Sequence, residues 1–154
     1  MNAESESSKR VYPPTYLLVA VVLMVCLHVL APVRQVISAP YRYLGVIPLA
    51  AGLAVVLSVA AIFQRAGTAI KPFEKSSTLV VDGLYRVTRN PIYLGMVCGL
   101  VGVGVLAGSV TPFLVVPAFA YFIDRRFIRA EEALLEQTFG SQYATYKSRV
   151  RRWL

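Results

Sequence analysis

NPIYLGMVCGLVGVGVLAGSVTPFLVVPAFAYFI, residues 90–123, is the stretch whose reading decides the fold: it holds no charged residue and is too long for one membrane crossing. About 20 apolar residues cross the roughly 30 Å of hydrocarbon in a bilayer. Near the middle of the stretch stand Gly108, Ser109 and Thr111-Pro112, a turn followed by a helix start with proline in the first turn. The stretch therefore reads as a tight helical hairpin, with spans over about 91–107 and 112–124.

Upstream, charge is also absent from Val11 to Val33 and from Tyr43 to Gln64. Each run fits one helix, placed at about 15–31 and 43–64. With 56% hydrophobic residues in 154, the chain is more apolar than soluble domains of its size can bury. The expected fold is an all-α integral membrane protein of four transmembrane helices, the last two a hairpin, followed by a cytoplasmic C-terminal helical segment. One membrane-embedded domain covers 1–154.

The net charge of +8 raises the question of nucleic acid, but the basic residues are distributed as in a membrane protein. Lys9 and Arg10 precede the first span, Arg65, Lys71, Lys75, Arg86 and Arg89 follow the second, and Arg125, Arg126, Arg129, Lys147, Arg149, Arg151 and Arg152 follow the last. Only Arg34 and Arg42 fall in the first inter-helix loop, so 14 of the 16 basic residues share one face. The positive-inside rule makes that face, and both termini, cytoplasmic, with the lipid bilayer rather than nucleic acid as partner. The leading segment mixes Glu4 and Glu6 with its bases, and its apolar run exceeds a signal-peptide core, so the first span is read as retained. Cys26 and Cys98 lie inside predicted spans, which argues against a disulfide or a metal site.

Residues 1–10 are polar and read as a disordered tail, and Tyr12-Pro13-Pro14 as the approach to the membrane. The longest irregular stretch is 65–90, with Gly67, Pro72 and Asp82-Gly83. Long ordered loops in compact proteins tend to carry function. The fourth span is expected to continue through Arg125 towards Phe139, where Gly140 stops it and Ser141 caps a last helix with Tyr143, Tyr146 and Val150 on one face. These cytoplasmic helices, about 125–152, fold back over the loop.

Two stretches carry a resemblance. One is Gly83-Leu84-Tyr85 followed by Arg89-Asn90-Pro91-Ile92-Tyr93-Leu94-Gly95; the other is Glu131-Glu132 followed by Leu135, Phe139-Gly140, Tyr143, Tyr146 and Val150. Together they resemble the isoprenylcysteine carboxyl methyltransferase and phospholipid methyltransferase superfamily in its short bacterial form, over roughly Gly67 to Trp153. The resemblance implies an S-adenosylmethionine-dependent methyltransferase, in the bacterial inner membrane, acting on a lipophilic or lipid-modified acceptor. It implies cofactor binding by Thr78, Leu79, Val80, Tyr85, Arg89, Asn90, Pro91, Ile92, Tyr93 and Glu131, with Leu79 and Val80 suited to an adenine face and no metal. Arg126 and Arg129 are candidate acceptor contacts. Eukaryotic carboxyl methyltransferases have histidine where Asn90 stands, a departure that bears on the acceptor. Carboxylate, amine and thiol acceptors all stay open, as does the oligomeric state.

The residues themselves support that chemistry. Asn90 is a good N-cap and Pro91 a good first helical residue, so a helix starts there with unpaired N–H groups that attract an anion, helped by Arg89. A capped helix start with a snorkelling arginine is the plainer reading. The rings of Tyr85 and Tyr93 could face a sulfonium, or serve as an interfacial aromatic belt. At 100° per residue, Phe127, Ile128, Leu134, Leu135 and Phe139 form an apolar stripe with Glu131 near its centre and Glu132 at its edge. A carboxylate so placed is expensive unless paired. It either meets Arg125, Arg126 or Arg129 or accepts hydrogen bonds from the cofactor, while Glu132 reads as solvated or salt-bridged.

Other features have plainer explanations. Gly102-Val103-Gly104-Val105-Leu106-Ala107 imitates a dinucleotide fingerprint but lacks the strand before it. Gly95 with Gly99, and Gly104 with Gly108, have the small-xxx-small spacing of close helix packing. His28 reads as bonded to a backbone carbonyl or placed near the interface, and Lys147, Arg149, Arg151 and Arg152 with Trp153 as a lipid-surface anchor. The alternative function is a non-catalytic membrane protein such as a transporter or an assembly subunit. A proton-coupled transporter would carry an intramembrane carboxylate, and the predicted spans have none.

Overall fold

The computed structural model describes residues 12–65 and 78–154. Readings that fell on residues 1–10, Gly67, Lys71, Pro72 and Lys75 lie outside the described residues. Among the described residues six α-helices follow one another: α1 Pro13–Leu30, α2 Val46–Arg65, α3 Pro91–Ala107, α4 Val115–Ile123, α5 Arg129–Phe139 and α6 Ser141–Arg149. Among the described residues there is no strand, only two isolated bridges. Short 3-10 turns at Tyr41–Gly45 and Thr111–Leu114 lead into α2 and α4, and a third occupies Gly83–Arg86. The all-helical expectation holds.

Punctuation by proline and glycine sets the helix ends. Pro13 and Pro14 lie inside the first turn of α1 rather than ahead of it, because a proline at that point forfeits only an N–H that has no intrahelical partner. α3 ends at Ala107 on Gly108, whose φ of 76° is the left-handed conformation that favours glycine. That turn is tied to the segment after α1. Val36 and Ile37 donate their N–H groups to the Gly108 carbonyl at 2.8 and 3.0 Å, and Val110 N donates to the Arg34 carbonyl at 3.1 Å. Thr111 Oγ1 donates to the Ala31 carbonyl at 2.9 Å, and His28 Nδ1 lies 2.8 Å from Ser109 Oγ. His28 thus pairs with a hydroxyl at the turn, not with a backbone carbonyl.

α3 is the central helix, packed against α1, α2 and α4. It is apolar all round, as a helix enclosed by neighbours should be. The main core joins Ala20 and Met24 of α1 to Tyr93, Met96 and Leu100 of α3, to Val115, Phe119 and Ile123 of α4, and to Phe127 and Ile128 beyond it. Towards α2 the contact is backbone to backbone. A Cβ on Gly102 would come within 2.6 Å of Leu49 N, and one on Gly45 within 2.6 Å of the Gly102 carbonyl. Gly95 likewise lies against the Gly52 carbonyl, as the small-residue spacing predicts. The second pair behaves differently: Gly104 seats the Phe113 ring, and Gly108 is the turn itself.

Two helical segments, Pro13–Leu30 and Tyr41–Gln64, are long and apolar enough to cross a membrane. Their apolar side chains face outward, with Leu18 64% and Leu57 60% exposed, which a water-facing surface does not sustain over whole helices.

The path from Thr111 to Phe139 is helical throughout, as expected, but it contains one π turn at Asp124–Ile128 that no local signal announced. Gly140, with φ of 51°, both ends α5 and precedes α6. Ser141 is therefore the first residue of α6, not its cap, and Val150 is extended beyond the helix. Cys26 and Cys98 are free thiols, and Cys98 Sγ lies 3.3 Å from the Pro48 carbonyl.

Candidate active site

The two sequence motifs converge where α3 begins. Asn90 occupies the N-cap position and Pro91, fully buried, opens the first turn. The expected cap bond is absent: Asn90 Nδ2 instead donates to the Arg152 carbonyl at 3.0 Å, and Asn90 N donates to Thr88 Oγ1 at 3.2 Å. The competing partner is the chain segment at 151–152, which runs beside Thr88–Asn90. Arg89 N donates to the Arg151 carbonyl at 2.9 Å, and Thr88 Oγ1 to the Arg152 carbonyl at 3.0 Å. Without a side-chain cap, the first-turn amides of Ile92 and Tyr93 keep no intrahelical partner.

Glu131 meets α3 directly. The Tyr93 hydroxyl donates to Glu131 Oε1 at 2.6 Å, joining the first motif to the second. Among the described residues Glu131 makes no ion pair, so the expected pairing with Arg125, Arg126 or Arg129 does not occur. Burial pushes its carboxyl up to about 7, although the Tyr93 hydrogen bond draws it down. Tyr85 lies close enough for the Glu131 charge to act on it. Burial first, then Glu131 and Tyr146, push the Tyr85 phenol well above its ordinary range. The Tyr146 hydroxyl donates to the Tyr85 carbonyl at 2.7 Å, and the Tyr85 ring meets Phe63 of α2 edge-on at 6.0 Å.

Glu132 corrects the stripe argument. It is only 6% exposed, whereas Glu131 is half-buried, the reverse of the order expected. An even 100° step takes no account of the π turn, which changes the register at which α5 meets the core. Glu132 is tolerated because it is paired. Arg152 holds it with Nη2 to Oε2 at 2.6 Å and Nε to Oε1 at 3.1 Å, and Arg89 Nη2 lies 3.3 Å from Oε1. Arg152 Nη1 also reaches Asp124 Oδ1 at 3.2 Å, and Arg129 Nε reaches Asp124 Oδ2 at 3.1 Å. Arg152 and Trp153 consequently face inward, Trp153 against the core, and do not form the expected lipid anchor.

Arg89 is 91% buried at its side chain, and its Nε and Nη1 have no hydrogen-bond partner among the described residues. The Tyr143 hydroxyl, from a fully buried ring, likewise has no well-formed hydrogen bond, but it lies close enough to Arg89 for that guanidinium to act on it as a donor. Burial and then the Glu132 charge push that phenol up to about 12, against the charge of Arg89 and hydrogen bonding to it.

The remaining expected site residues are less engaged. Thr78 is exposed, Leu79 and Val80 are half-buried, and no polar contact ties them to the Tyr93–Glu131 pair among the described residues. Ile92 packs on the core. Arg126 is exposed with its guanidinium 5.7 Å from the Phe127 ring centroid, and Arg129 is exposed and occupied by Asp124. The sequence reading missed Asp124 and Arg152 as part of this constellation. Arg152 was hidden in a basic run, and only its contact with α5 distinguishes it.

The chain is 32% identical over 76 residues to the protein-S-isoprenylcysteine O-methyltransferase of Schizosaccharomyces pombe, covering 49% of this chain and 32% of that protein. It is 38% identical over 80 residues to protein-S-isoprenylcysteine O-methyltransferase B of Arabidopsis thaliana, covering 50% of this chain and 39% of that protein. The chain thus spans about a third to two fifths of the length of these two relatives. An uncharacterized protein of Haemophilus influenzae is 36% identical over 63 residues, 41% of this chain and 100% of that protein. No solved structure matches. The phospholipid methyltransferase family matches residues 40–142, which include α2, α3, α4 and α5, and the chain belongs to that family.

Proposed function

We propose that the chain is an S-adenosylmethionine-dependent methyltransferase, held in the bacterial inner membrane by four spans with its site on the cytoplasmic face, and that it methylates a lipophilic or membrane-partitioned acceptor. The observation that carries this reading is the Tyr93–Glu131 hydrogen bond, which joins the two sequence motifs. Family membership and the outward apolar faces of α1 and α2 support it further.

The residues fit the cofactor. The unpartnered, buried Nε and Nη1 of Arg89 and the first-turn amides of Ile92 and Tyr93 suit a carboxylate. Glu131, when ionised, accepts hydrogen bonds from amino or hydroxyl groups, and Tyr85 and Tyr93 offer ring faces to a sulfonium. Leu79 and Val80 suit the adenine, on family likeness. Bound S-adenosylmethionine supplies a methyl group activated by its sulfonium. The chain's part is then positioning, which by itself accounts for a large share of the acceleration of a two-substrate displacement. Asn90 and Pro91 fix the start of α3, Glu131 and Arg89 hold the polar ends, and the core behind Tyr93 keeps water from that side. Arg126 and Arg129, at the junction of α4 and α5, are the proposed acceptor contacts.

Titrating S-adenosylmethionine into the detergent-purified protein tests the reading. Saturable binding is expected, weakened roughly tenfold to a hundredfold in Glu131→Gln, the loss of one charge-assisted hydrogen bond. Absence of binding in the wild type would return the chain to the transporter or assembly-subunit reading.

A further inference from the structure

The ion-pair cluster under α3 has an excess of positive charge. Among the described residues, Arg89, Arg129 and Arg152 pair with Asp124 and Glu132, so three guanidinium groups meet two carboxylates. The excess is not spread evenly. Arg152 donates to both Glu132 oxygens and also reaches Asp124, whereas Arg89 meets Glu132 through Nη2 alone, at the longer distance of 3.3 Å. Two nitrogens without a partner, Nε and Nη1, belong to Arg89 as well, at a side chain 91% buried. A buried guanidinium half-used by its counterion is an unfinished anion site.

We infer that Arg152 is a positioning residue: by taking up Glu132 it prevents that carboxylate from closing two-pronged on Arg89, and so keeps Nε and Nη1 of Arg89, with the Tyr143 hydroxyl nearby, available to an anion. The inference rests on the proposed reading that this anion is the cofactor's carboxylate. If Arg152 is removed, Glu132 keeps Arg89 as its one remaining guanidinium partner. A buried carboxylate in that position pairs with it as fully as the geometry permits. Closing two-pronged takes Nη2 together with Nε or Nη1, so one of the two unpartnered nitrogens is lost to the ligand although every residue that would touch the ligand is unchanged.

The tail itself is held by other bonds. The Arg152 carbonyl accepts from Thr88 Oγ1 and Asn90 Nδ2, the Arg151 carbonyl accepts from Arg89 N, and Trp153 packs on the core. These survive any side-chain substitution at position 152, so the segment stays in place when the guanidinium is replaced.

The test is a double-mutant cycle on S-adenosylmethionine affinity, measured by calorimetry on the detergent-purified full chain, with melting temperature recorded for each variant. Arg152→Gln is expected to weaken binding by about tenfold or more in the wild-type background and to have no further effect in Arg89→Gln, because the two act through one site. Arg152→Lys, which keeps the charge but not the two-pronged grip, is expected to fall between, and it serves where Arg152→Gln does not fold. Millimolar methylguanidinium should restore part of the lost affinity in Arg152→Gln. Equal losses from the position 152 substitution with and without Arg89, or a lowered melting temperature with affinity unchanged, would overturn the positioning role. If Arg89→Gln itself leaves affinity unchanged, the assignment of the anion site fails instead, whatever position 152 does.

Discussion

Glu131 faces a phenol while its neighbour Glu132 faces two guanidinium groups, and this separates the two carboxylates in ways that can be measured. The Glu131 carboxyl stands at about 7 against an ordinary 4.5, so it contributes stability that is fully present below about 4.5 and is lost as pH rises through about 7. The melting temperature of the cofactor-free protein should therefore fall over that window, and Glu131→Gln should flatten the fall. An unchanged slope in the variant would assign the titration to another group. Tyr93→Phe removes the hydrogen bond that draws the carboxyl down, so its midpoint should move above 7. At this scale the sequence told part of the story. A carboxylate on an apolar stripe is conspicuous, but its partner, the Tyr93 hydroxyl on another helix, was not legible. Which of two adjacent carboxylates lies deeper was not, because that depends on the register after the π turn and on Arg152, twenty positions away in the chain.

Helix ends were the most legible elements, because proline and glycine act locally. Pro91, Gly108, Pro112 and Gly140 each punctuate the chain where expected. The π turn at Asp124–Ile128 was not legible: its cause is tertiary, the fit of Phe127 and Ile128 into the core while Asp124 meets Arg129 and Arg152. The α2–α3 contact lies between these cases, since spacing showed that Gly95 and Gly99 could pack closely but not on which helix. A Cβ on Gly95 would stand 2.8 Å from the Gly52 carbonyl and 3.0 Å from Val56 Cγ2. A backbone carbonyl in a helix cannot turn aside, so Gly95→Ala must push α2 from α3 and should destabilise the protein by about 1–3 kcal/mol. Gly104→Ala meets only the Phe113 ring and should do less. Equal losses in thermal unfolding would mean that α2 gives way as easily as a side chain does.

At the scale of the whole molecule, the two ends of the bundle are chemically unlike. One end gathers the turn Gly108–Val110 against Arg34–Ile37. The other gathers Arg86, Arg89, Arg125, Arg126, Arg129 and Arg152 around the start of α3 and the end of α4. In the proposed topology the second end is cytoplasmic, since Lys and Arg near span ends hold their segment on that side. The site follows from this orientation, because a water-soluble cofactor reaches Glu131 and Arg89 from the cytoplasm while an apolar acceptor comes through the bilayer. Reporters fused before Met1 and after Leu154 should therefore read cytoplasmic, and one inserted at Ser109 should read external. The Ser109 insertion is the demanding arm, since its neighbours are bonded to the segment after α1 and both must lie on the same side. An external reading at Leu154 with a cytoplasmic one at Ser109 would invert the molecule and place the site away from the cofactor pool. Cytoplasmic readings at all three positions would remove the hairpin as a membrane element, leaving α1 and α2 as the spans and the family's motifs on a peripheral cap.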